Sequence, residues 1–405
     1  MNNIDKLLQG QKVEWKTLGE VAKIQRGASP RPIANFITDD ENGIPWIKIG
    51  DTTINSKYVN STEQRITLKG AEKSRVLKKG DFIMSNSMSF GRPYILNIDG
   101  AIHDGWASIS DFGERLNSDY LYHYLLSNTV QTFWLSKINS GSVSNLNSDI
   151  IKSLEIPIPP LAVQQEIVAI LDKFTELTAE LTAELTARKK QYSFYREELL
   201  AFQPQMNTDK HGFKVEWKTL GEVGEVRMCK RILKEQTTDK GEIPFYKIGT
   251  FGKDPNAYIS KELFDEYKTK YNYPKIGEVL ISASGTIGRA VIFDGKDAYF
   301  QDSNIVWIEN NESQVLNKYL FYFYQIAKWE VAEGGTIQRL YNDNLKKTKI
   351  PIPPLAEQER IVAILDKMDT LTNSISEGLP KEIELRQKQY AYYRDSLLTF
   401  PLSEL

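Results

Sequence analysis

Cysteine is almost absent: Cys229 is the only one among 405 residues. An internal disulfide is therefore impossible, and the usage fits a reducing compartment. Three histidines, His103, His123 and His211, are too few and too scattered for a convincing metal cluster. No apolar run approaches the ~20 residues that span a bilayer. The start, MNNIDKLLQG, has no basic leader ahead of an apolar core, so no secretory signal is visible and a cytoplasmic location is expected. The chain has no G-x-x-x-x-G-K-[ST] string to cradle ATP phosphates and no G-x-G-x-x-G after a strand. It also lacks the Asn/Asp-Pro-Pro-aromatic string of amino-methyltransferases. Net charge is only −2, which does not advertise a nucleic-acid binder.

What the chain does have, it has twice. KVEWKTLGEV occupies 12–21 and recurs unchanged at 214–223. IPIPPLAVQQEIVAILDKF at 156–174 returns as IPIPPLAEQERIVAILDKM at 350–368, and RKKQYSFYREELLAF at 188–202 as RQKQYAYYRDSLLTF at 386–400. The stretches between these blocks, 22–140 and 224–334, have diverged. A frame kept twice around different contents presents two related but different surfaces. The charge is uneven as well: 161–202 carries five Lys/Arg against seven Asp/Glu, and 355–405 six against nine. The remainder is thus +3, weak support for an anionic partner at the variable regions.

Each copy opens with about 145 residues rich in β-branched and aromatic residues and in turn signals such as Asn42-Gly43 and Asp294-Gly295. Strand-like runs include Ile44–Ile49, Asp81–Met84 and Tyr94–Ile98, matched by Ile243–Ile248, Glu278–Ile281 and Ala290–Phe293. Helical patterns cover Ser118–Leu126 and Asn317–Ala327. The expected fold class is α+β, with two tandem mixed α/β domains at 1–155 and 214–349. A central repeated helix with linker at 156–213 and a distal repeated helix at 350–405 complete the plan.

Pro160 and Pro354 suit the start of a helix, where a missing N–H costs nothing. A proline-rich peptide ligand is the rival reading of IPIPP, disfavoured by its identical placement before both helices. The stretch from Leu161 to Phe202 has neither Gly nor Pro, and its apolar Ile167, Leu171, Phe174, Leu181 and Leu185 recur every three or four residues, with Leu177 beside them. The second helix repeats this with Ile361, Leu365, Met368 and Leu371, and is expected to break at Gly378-Leu379-Pro380 before resuming from Ile383 to Leu398. A single apolar stripe needs cover, and the other copy's helix is the obvious cover. An antiparallel coiled coil with pseudo-two-fold symmetry is the resulting expectation.

The first helix also holds a small internal repeat, Thr178-Ala179-Glu180-Leu181 followed by Thr182-Ala183-Glu184-Leu185. One such unit lengthens a helix by about 6 Å and rotates the remainder of the helix by about 40° past a full turn. A DNA base pair turns by roughly 34–36°. Thr178, Leu181, Thr182 and Leu185 therefore stand either as parts of a molecular ruler or as an alanine-rich solvated face extended by slippage.

Catalytic readings are thin. Glu14-Trp15-Lys16 and Glu216-Trp217-Lys218 match the E-x-K half of a nuclease site without its Pro-Asp partner; anchoring of each domain is the better reading of Trp15 and Trp217. Ser87, His103 and Asp104 could form a hydrolytic triad, but the second copy has no histidine to match His103. Binding remains. A polar loop follows a strand in each copy, with Ser87, Ser89 and Arg92 in the first and Ser284, Thr286 and Arg289 in the second. A second loop carries Ser142, Ser144 and Asn145, against Thr336, Gln338 and Arg339. Hydroxyls, amides and arginines are the groups that bond phosphates and base edges. Lys23, Arg26 and Arg31, with Arg227, Lys230 and Arg231, could supply phosphate contacts; ordinary surface turns and solvated charges are the alternative. The aromatic clusters Tyr192, Phe194, Tyr195 and Tyr390, Tyr392, Tyr393 suit either internal packing or docking of another subunit.

The two variable domains, the P-x-P-P-L-A-x-Q-x-x-I-V-A-I-L-D helix motif and the T-A-E-L tetrapeptide together resemble the specificity subunit of type I restriction–modification enzymes, most of all the type IC group. The resemblance runs from Lys12 to Phe400. It implies a non-catalytic subunit whose two target-recognition domains each read half of a split, asymmetric double-stranded DNA site. It also implies two modification subunits carrying adenine-N6 methylation with S-adenosylmethionine, and restriction subunits using ATP and Mg. This chain itself would hold no cofactor or metal and meet no membrane. A protein-binding scaffold with two variable heads is the alternative, and a nuclease in its own right is a further one.

Overall fold

The computed structural model describes residues 3–53, 56–86, 91–113, 115–139, 146–202, 214–331 and 338–400. The chain divides into two compact units, one of Met1–Thr182 with Glu382–Leu405 and one of Ala183–Lys381. The first division falls inside the T-A-E-L repeat, within one helix, Leu161–Leu200.

The first unit contains two five-stranded sheets. The central one runs in the order Lys23–Arg26, Trp106–Ser110, Phe82–Ser85, Pro93–Leu96, Tyr58–Val59, antiparallel except for its last pair. Every residue of Trp106–Ser110, Phe82–Ser85 and Pro93–Leu96 is buried, which explains why these strands read as apolar runs rather than alternations. The second unit repeats this sheet with four strands: Glu225–Arg227, Ile305–Glu309, Val279–Ser282 and Ala290–Ile292. The other five-stranded sheet of the first unit pairs Ile44–Ile47 with Gly100–Ile102, and a three-stranded sheet of the second pairs Ile243–Tyr246 with Tyr299–Phe300, both parallel.

The duplicated blocks turn out to be partners. Glu14–Thr17 pairs antiparallel with Glu155–Ile158, placing Trp15 opposite Pro157. Glu216–Thr219 pairs in the same register with Lys349–Ile352, placing Trp217 opposite Pro351. The IPIPP segment is thus a strand first and a helix preface second. Proline survives there because each ladder has only two strands, so its missing N–H costs no central hydrogen bond. The ladder leads into a short capped turn: the Glu20 carboxylate accepts from the Thr17 N–H at 2.7 Å, and Glu222 does the same for Thr219 at 2.7 Å.

A buried glutamine pins each long helix. Gln164 Nε2 donates to the carbonyls of Pro159 (2.8 Å) and Arg115 (2.9 Å), while its Oε1 accepts from the Asn117 N–H (2.8 Å). Gln358 makes the same set with Pro353 (2.8 Å), Gln314 (2.8 Å) and the Leu316 N–H (2.9 Å). Both side chains have no solvent exposure. They tie the first turn of the helix to the loop that precedes Ser118–Leu125 or Asn317–Tyr324.

The main core of each unit is closed by helix segments from both copies. In the first unit Ile167 and Leu171 share a core with Leu397, Leu398 and Phe400, and Phe174 stacks on Tyr393 at 5.2 Å. In the second, Tyr192 and Leu200 join Ile361 and Leu365, and Tyr192 lies beside Asp369. Position 174 thus meets 393 while 192 meets 369, so the helices run antiparallel. The distal helix is broken as expected, but earlier: Leu355–Asn373 ends before the break, and Gly378–Leu398 follows it. Gly378 takes φ +72°, and Pro380 falls in the first turn of the new helix, where it is tolerated.

Tyr192 and Tyr390 face inward, which corrects their reading as docking residues. Tyr192 is 5 % exposed, and the Tyr390 hydroxyl bonds His123 Nδ1 at 2.8 Å. Tyr393 is half-buried against Phe174, and Tyr195 is partly exposed. The outward aromatics are Phe194 and Tyr392, 62 % and 66 % exposed at matching positions.

Candidate nucleic-acid interface

Four segments converge at one end of the central sheet in the first unit. The Asn86 N–H bonds the Gly105 carbonyl (3.1 Å), the Leu146 N–H bonds the Asn86 carbonyl (3.1 Å), and the Gly27 N–H bonds the Trp106 carbonyl (2.8 Å). The second unit reproduces the first two bonds: Ala283 N–H to Asn304 O (2.7 Å) and Leu340 N–H to Ala283 O (2.8 Å). Ser87, Ser89, Ser142, Ser144, Asn145 and Thr336 lie outside the described residues. The backbone on either side of those segments is nevertheless placed. Asn86 opens one of them, Leu146 closes the other, and the two are hydrogen-bonded to each other.

A glycine in each copy lets the loop turn against a tryptophan. Gly91 has φ +68° and Gly288 φ +83°. A Cβ at Gly91 would lie 2.6 Å from Trp134 Cδ1, and one at Gly288 would lie 2.3 Å from Trp329 Nε1. Only glycine meets both demands.

The basic candidates separate into groups. Arg26 donates through Nε to the Asp104 carbonyl (3.0 Å), and Arg31 approaches Asp104 Oδ2 at 3.5 Å while 84 % exposed. Arg231 donates through Nε to Asp302 Oδ2 at 3.0 Å. Lys230 sits 5.3 Å over the Tyr271 ring. Arg26 and Arg31 thus meet at Asp104 in the first unit, and Arg231 meets Asp302 in the second.

Arg227 does not belong with them. It pairs across strands with Glu309 at 2.8 Å, a carboxylate that Lys275 also approaches at 3.4 Å, so its charge is spent within the sheet. Arg289 is half-buried and donates Nη1 to the Phe251 carbonyl (2.8 Å). It holds a loop rather than reaching outward. Arg92 is half-buried as well, close enough to Tyr122 for its charge to act on that phenol. Arg339 donates Nη2 to the Ser303 carbonyl (3.0 Å) and lies 5.9 Å over Tyr341. Ser284 is buried, its hydroxyl donating to Asn304 Oδ1 (2.8 Å), whereas Thr286 and Gln338 are exposed.

Asp104 and Asp302, which precede the central strand in the two units, were not singled out as anchors by sequence pattern. Asp104 Oδ1 accepts from the Ser29 hydroxyl at 2.8 Å and lies 3.1 Å from His103 Nε2. Partial burial works to raise its pKa, but the Ser29 hydroxyl, His103 and Arg26 together hold it below the usual carboxylate value. The recurrence of an aspartate just ahead of the central strand in both copies, two residues before Trp106 and three before Ile305, was the available signal.

Glu14 and Glu216 each pair with the lysine two residues along their own strand, Lys16 at 2.9 Å and Lys218 at 3.6 Å. Among the described residues no cluster of His, Cys, Asp and Glu could hold a metal. No helix of the described residues is long and apolar enough to cross a membrane.

Two loop clusters built on one backbone pattern, with different side chains, define a bipartite recognition protein. A family model described as the type I restriction modification DNA specificity domain matches residues 11–188 and again 214–385. The chain belongs to that family. A type I restriction enzyme specificity subunit of Haemophilus influenzae is 51 % identical over 98 % of both chains. The EcoR124I/EcoR124II specificity subunit of Escherichia coli is 35 % identical over 100 % of this chain and 98 % of its own. Among solved structures, a chain from a study of assembly and conformational transition of the type I system has TM-score 0.67 at 19 % identity, covering 97 % of this chain and 99 % of that one. The HsdS subunit of Thermoanaerobacter tengcongensis has TM-score 0.51 at 18 % identity, over 96 % and 99 %.

Proposed function

We propose that this chain is the recognition subunit of a type I restriction–modification complex, in which each unit reads one half of a split, asymmetric DNA site. The observation that carries this is the shared loop convergence: Asn86, Gly105 and Leu146 in one unit and Ala283, Asn304 and Leu340 in the other keep the same backbone bonds. The arginines, serines and amides mounted on that frame differ between the units. Reading unlike half-sites needs such a constant platform and variable contacts. Family membership supports the assignment of chemistry to partners: modification subunits that methylate adenine with S-adenosylmethionine, and restriction subunits that consume ATP with Mg. Flipping of the target base would then occur in a partner's pocket.

The helix Leu161–Leu200 joins the units, and its T-A-E-L repeat sets the length of that joint. Thr178 and Thr182 return their hydroxyls to the carbonyls of Phe174 and Thr178, both at 2.7 Å, while Leu181 and Leu185 are half-buried. These contacts support a ruler whose length changes by whole units. The exposed Phe194 and Tyr392, with the partly exposed Tyr195 beside the first, are candidate contacts for modification subunits.

Co-expression with the cognate modification subunit, followed by methylome sequencing, tests the reading. The expected result is adenine methylation at one bipartite sequence that disappears without this chain. An identical methylation map with and without it would leave a protein scaffold as the better account.

A further inference from the structure

We propose that Arg26 and Arg231 read base edges, each presenting its guanidinium to a guanine in the major groove while Asp104 or Asp302 holds it in position. The inference rests on the DNA-reading function above and goes further, because a base reader and a phosphate contact need different things from an arginine. A phosphate contact needs charge within reach. A guanine reader needs two parallel N–H groups aimed at O6 and N7, so the plane of the guanidinium must be fixed.

That fixing is present in both units, by different routes. Arg26 closes the strand Lys23–Arg26 and donates Nε to the Asp104 backbone carbonyl at 3.0 Å. Arg231 lies beyond the strand Glu225–Arg227 and donates Nε to the Asp302 carboxylate, also at 3.0 Å. The two arginines do not occupy equivalent positions, yet both settle on the aspartate ahead of the central strand. With Nε tied, Nη1 and Nη2 remain as a fork, and among the described residues neither arginine donates them to protein.

The anchors are better buried than what they hold. Asp302 is 19 % exposed against 68 % for Arg231. Asp104 is gripped by the Ser29 hydroxyl, which donates to its carboxylate and accepts from its N–H at 3.2 Å. The other candidates lack this arrangement. Arg289 and Arg339 spend a terminal nitrogen on a carbonyl, and Arg31 is held only at 3.5 Å. Arg227 does tie its Nε to the Glu309 carboxylate at 2.8 Å, but across two paired strands, on a carboxylate shared with Lys275, and it is less exposed than Arg231.

The test uses the complex of the full chain with its modification subunit. Wild type first defines the bipartite sequence; failure to direct methylation to any such site refutes the underlying function rather than this inference. Arg231→Lys keeps the charge and removes the fork. It should collapse the preference for one G·C pair in one half-site, from between about 5-fold and about 150-fold to near equality, and leave the other half-site intact. Arg26→Lys should do the same in the opposite half. Asp302→Asn should weaken the same base pair as Arg231→Lys and add nothing when combined with it. Should a variant lose methylation in cells, competition between duplexes carrying each base pair at each half-site position reads the same preference with purified complex. A lysine variant whose base preferences match wild type, with only salt-sensitive affinity reduced, would make these residues phosphate contacts and overturn the proposal.

Discussion

Replacing Gln164 with leucine is the sharpest test of how the frame is held together. The substitution keeps approximate volume and removes one donor group and one acceptor. It strands the Pro159 carbonyl, which is buried, and the Arg115 carbonyl and Asn117 N–H, which are partly buried. A stranded buried polar group costs about 1–3 kcal/mol. With two of the three open to some water, the total is on the order of 4 kcal/mol, a large share of the ~5–15 kcal/mol that stabilises a typical domain. At an m-value of about 3 kcal/mol per molar urea, the midpoint of the first unit should fall by roughly 1.3 M. Hydrogen exchange resolved by segment is the suitable assay, because a chain of two units need not unfold in one step. Amides of Trp106–Ser110 and Ser118–Leu125 should lose protection while those of Ile305–Glu309 keep it, and Gln358→Leu should produce the mirror result. A shift below about 0.3 M, or equal loss in both units, would refute the idea that this side chain pins its own domain to its own helix.

Three further outcomes are expected. His123 is buried between Asp172 (2.9 Å from Nε2) and the Tyr390 hydroxyl; burial depresses its pKa, the Asp172 hydrogen bond opposes this, and nearby Lys57 adds to the depression. The folded state therefore binds fewer protons than the unfolded one, so stability of the first unit should fall as pH drops from about 6.5 toward the lowered pKa and stay flat above. His123→Tyr installs the group that the second unit uses, where Tyr322 donates to Asp366 at 2.6 Å, and should abolish the difference between urea midpoints at pH 5.5 and 7.5; an unchanged difference would assign it to other groups. Gly91→Ala adds a carbon 2.6 Å from Trp134 at φ +68°, so calorimetry should show a loss of about 1–3 kcal/mol and methylation should fail through one half-site; an unaffected melting temperature would mean the loop relaxes freely. Deleting Thr182–Leu185 removes about 6 Å of helix and about 40° of rotation, so methylome sequencing should show an altered gap between unchanged half-sites; altered half-sites would sink the ruler.

Much of the frame was legible in the sequence because its signals are local. The buried strands Phe82–Ser85 and Val279–Ser282 lie within one residue of the apolar runs that announced them, and the long helix follows from forty residues without a helix breaker. The pairing of EWKT with IPIPP was not legible, because Pro157 and Pro351 argue against a strand unless the ladder is known to have only two members. Inward and outward aromatics were equally hidden. Tyr192 and Phe194 are two residues apart, and only the facing helix decides that one is buried and the other exposed. The division among arginines had the same cause. Nothing near Arg227 in sequence reveals Glu309, which arrives from a strand 82 residues away.

The kind of bond that fixes the loops explains why the two units could diverge so far at their tips. Asn86 to Gly105 and Leu146 to Asn86, like Ala283 to Asn304 and Leu340 to Ala283, are backbone-to-backbone hydrogen bonds. Such bonds are made by any non-proline residue and therefore place no demand on side-chain identity. Identity is demanded only where a side chain, or the lack of one, does the fixing: the glycines under Trp134 and Trp329, the glutamines at the helix starts, and Asp302 beneath Arg231. Between those points, substitution changes what the loop offers to DNA and not where the loop sits. A change of target sequence should therefore be reachable by substitutions within 86–90, 140–145, 285–287 and 332–339, outside the glycines under the tryptophans and the buried Leu146 and Leu340, that leave the melting temperature unaltered. If such changes always destabilise the unit, the tips contribute to folding and the separation of frame from reading surface fails.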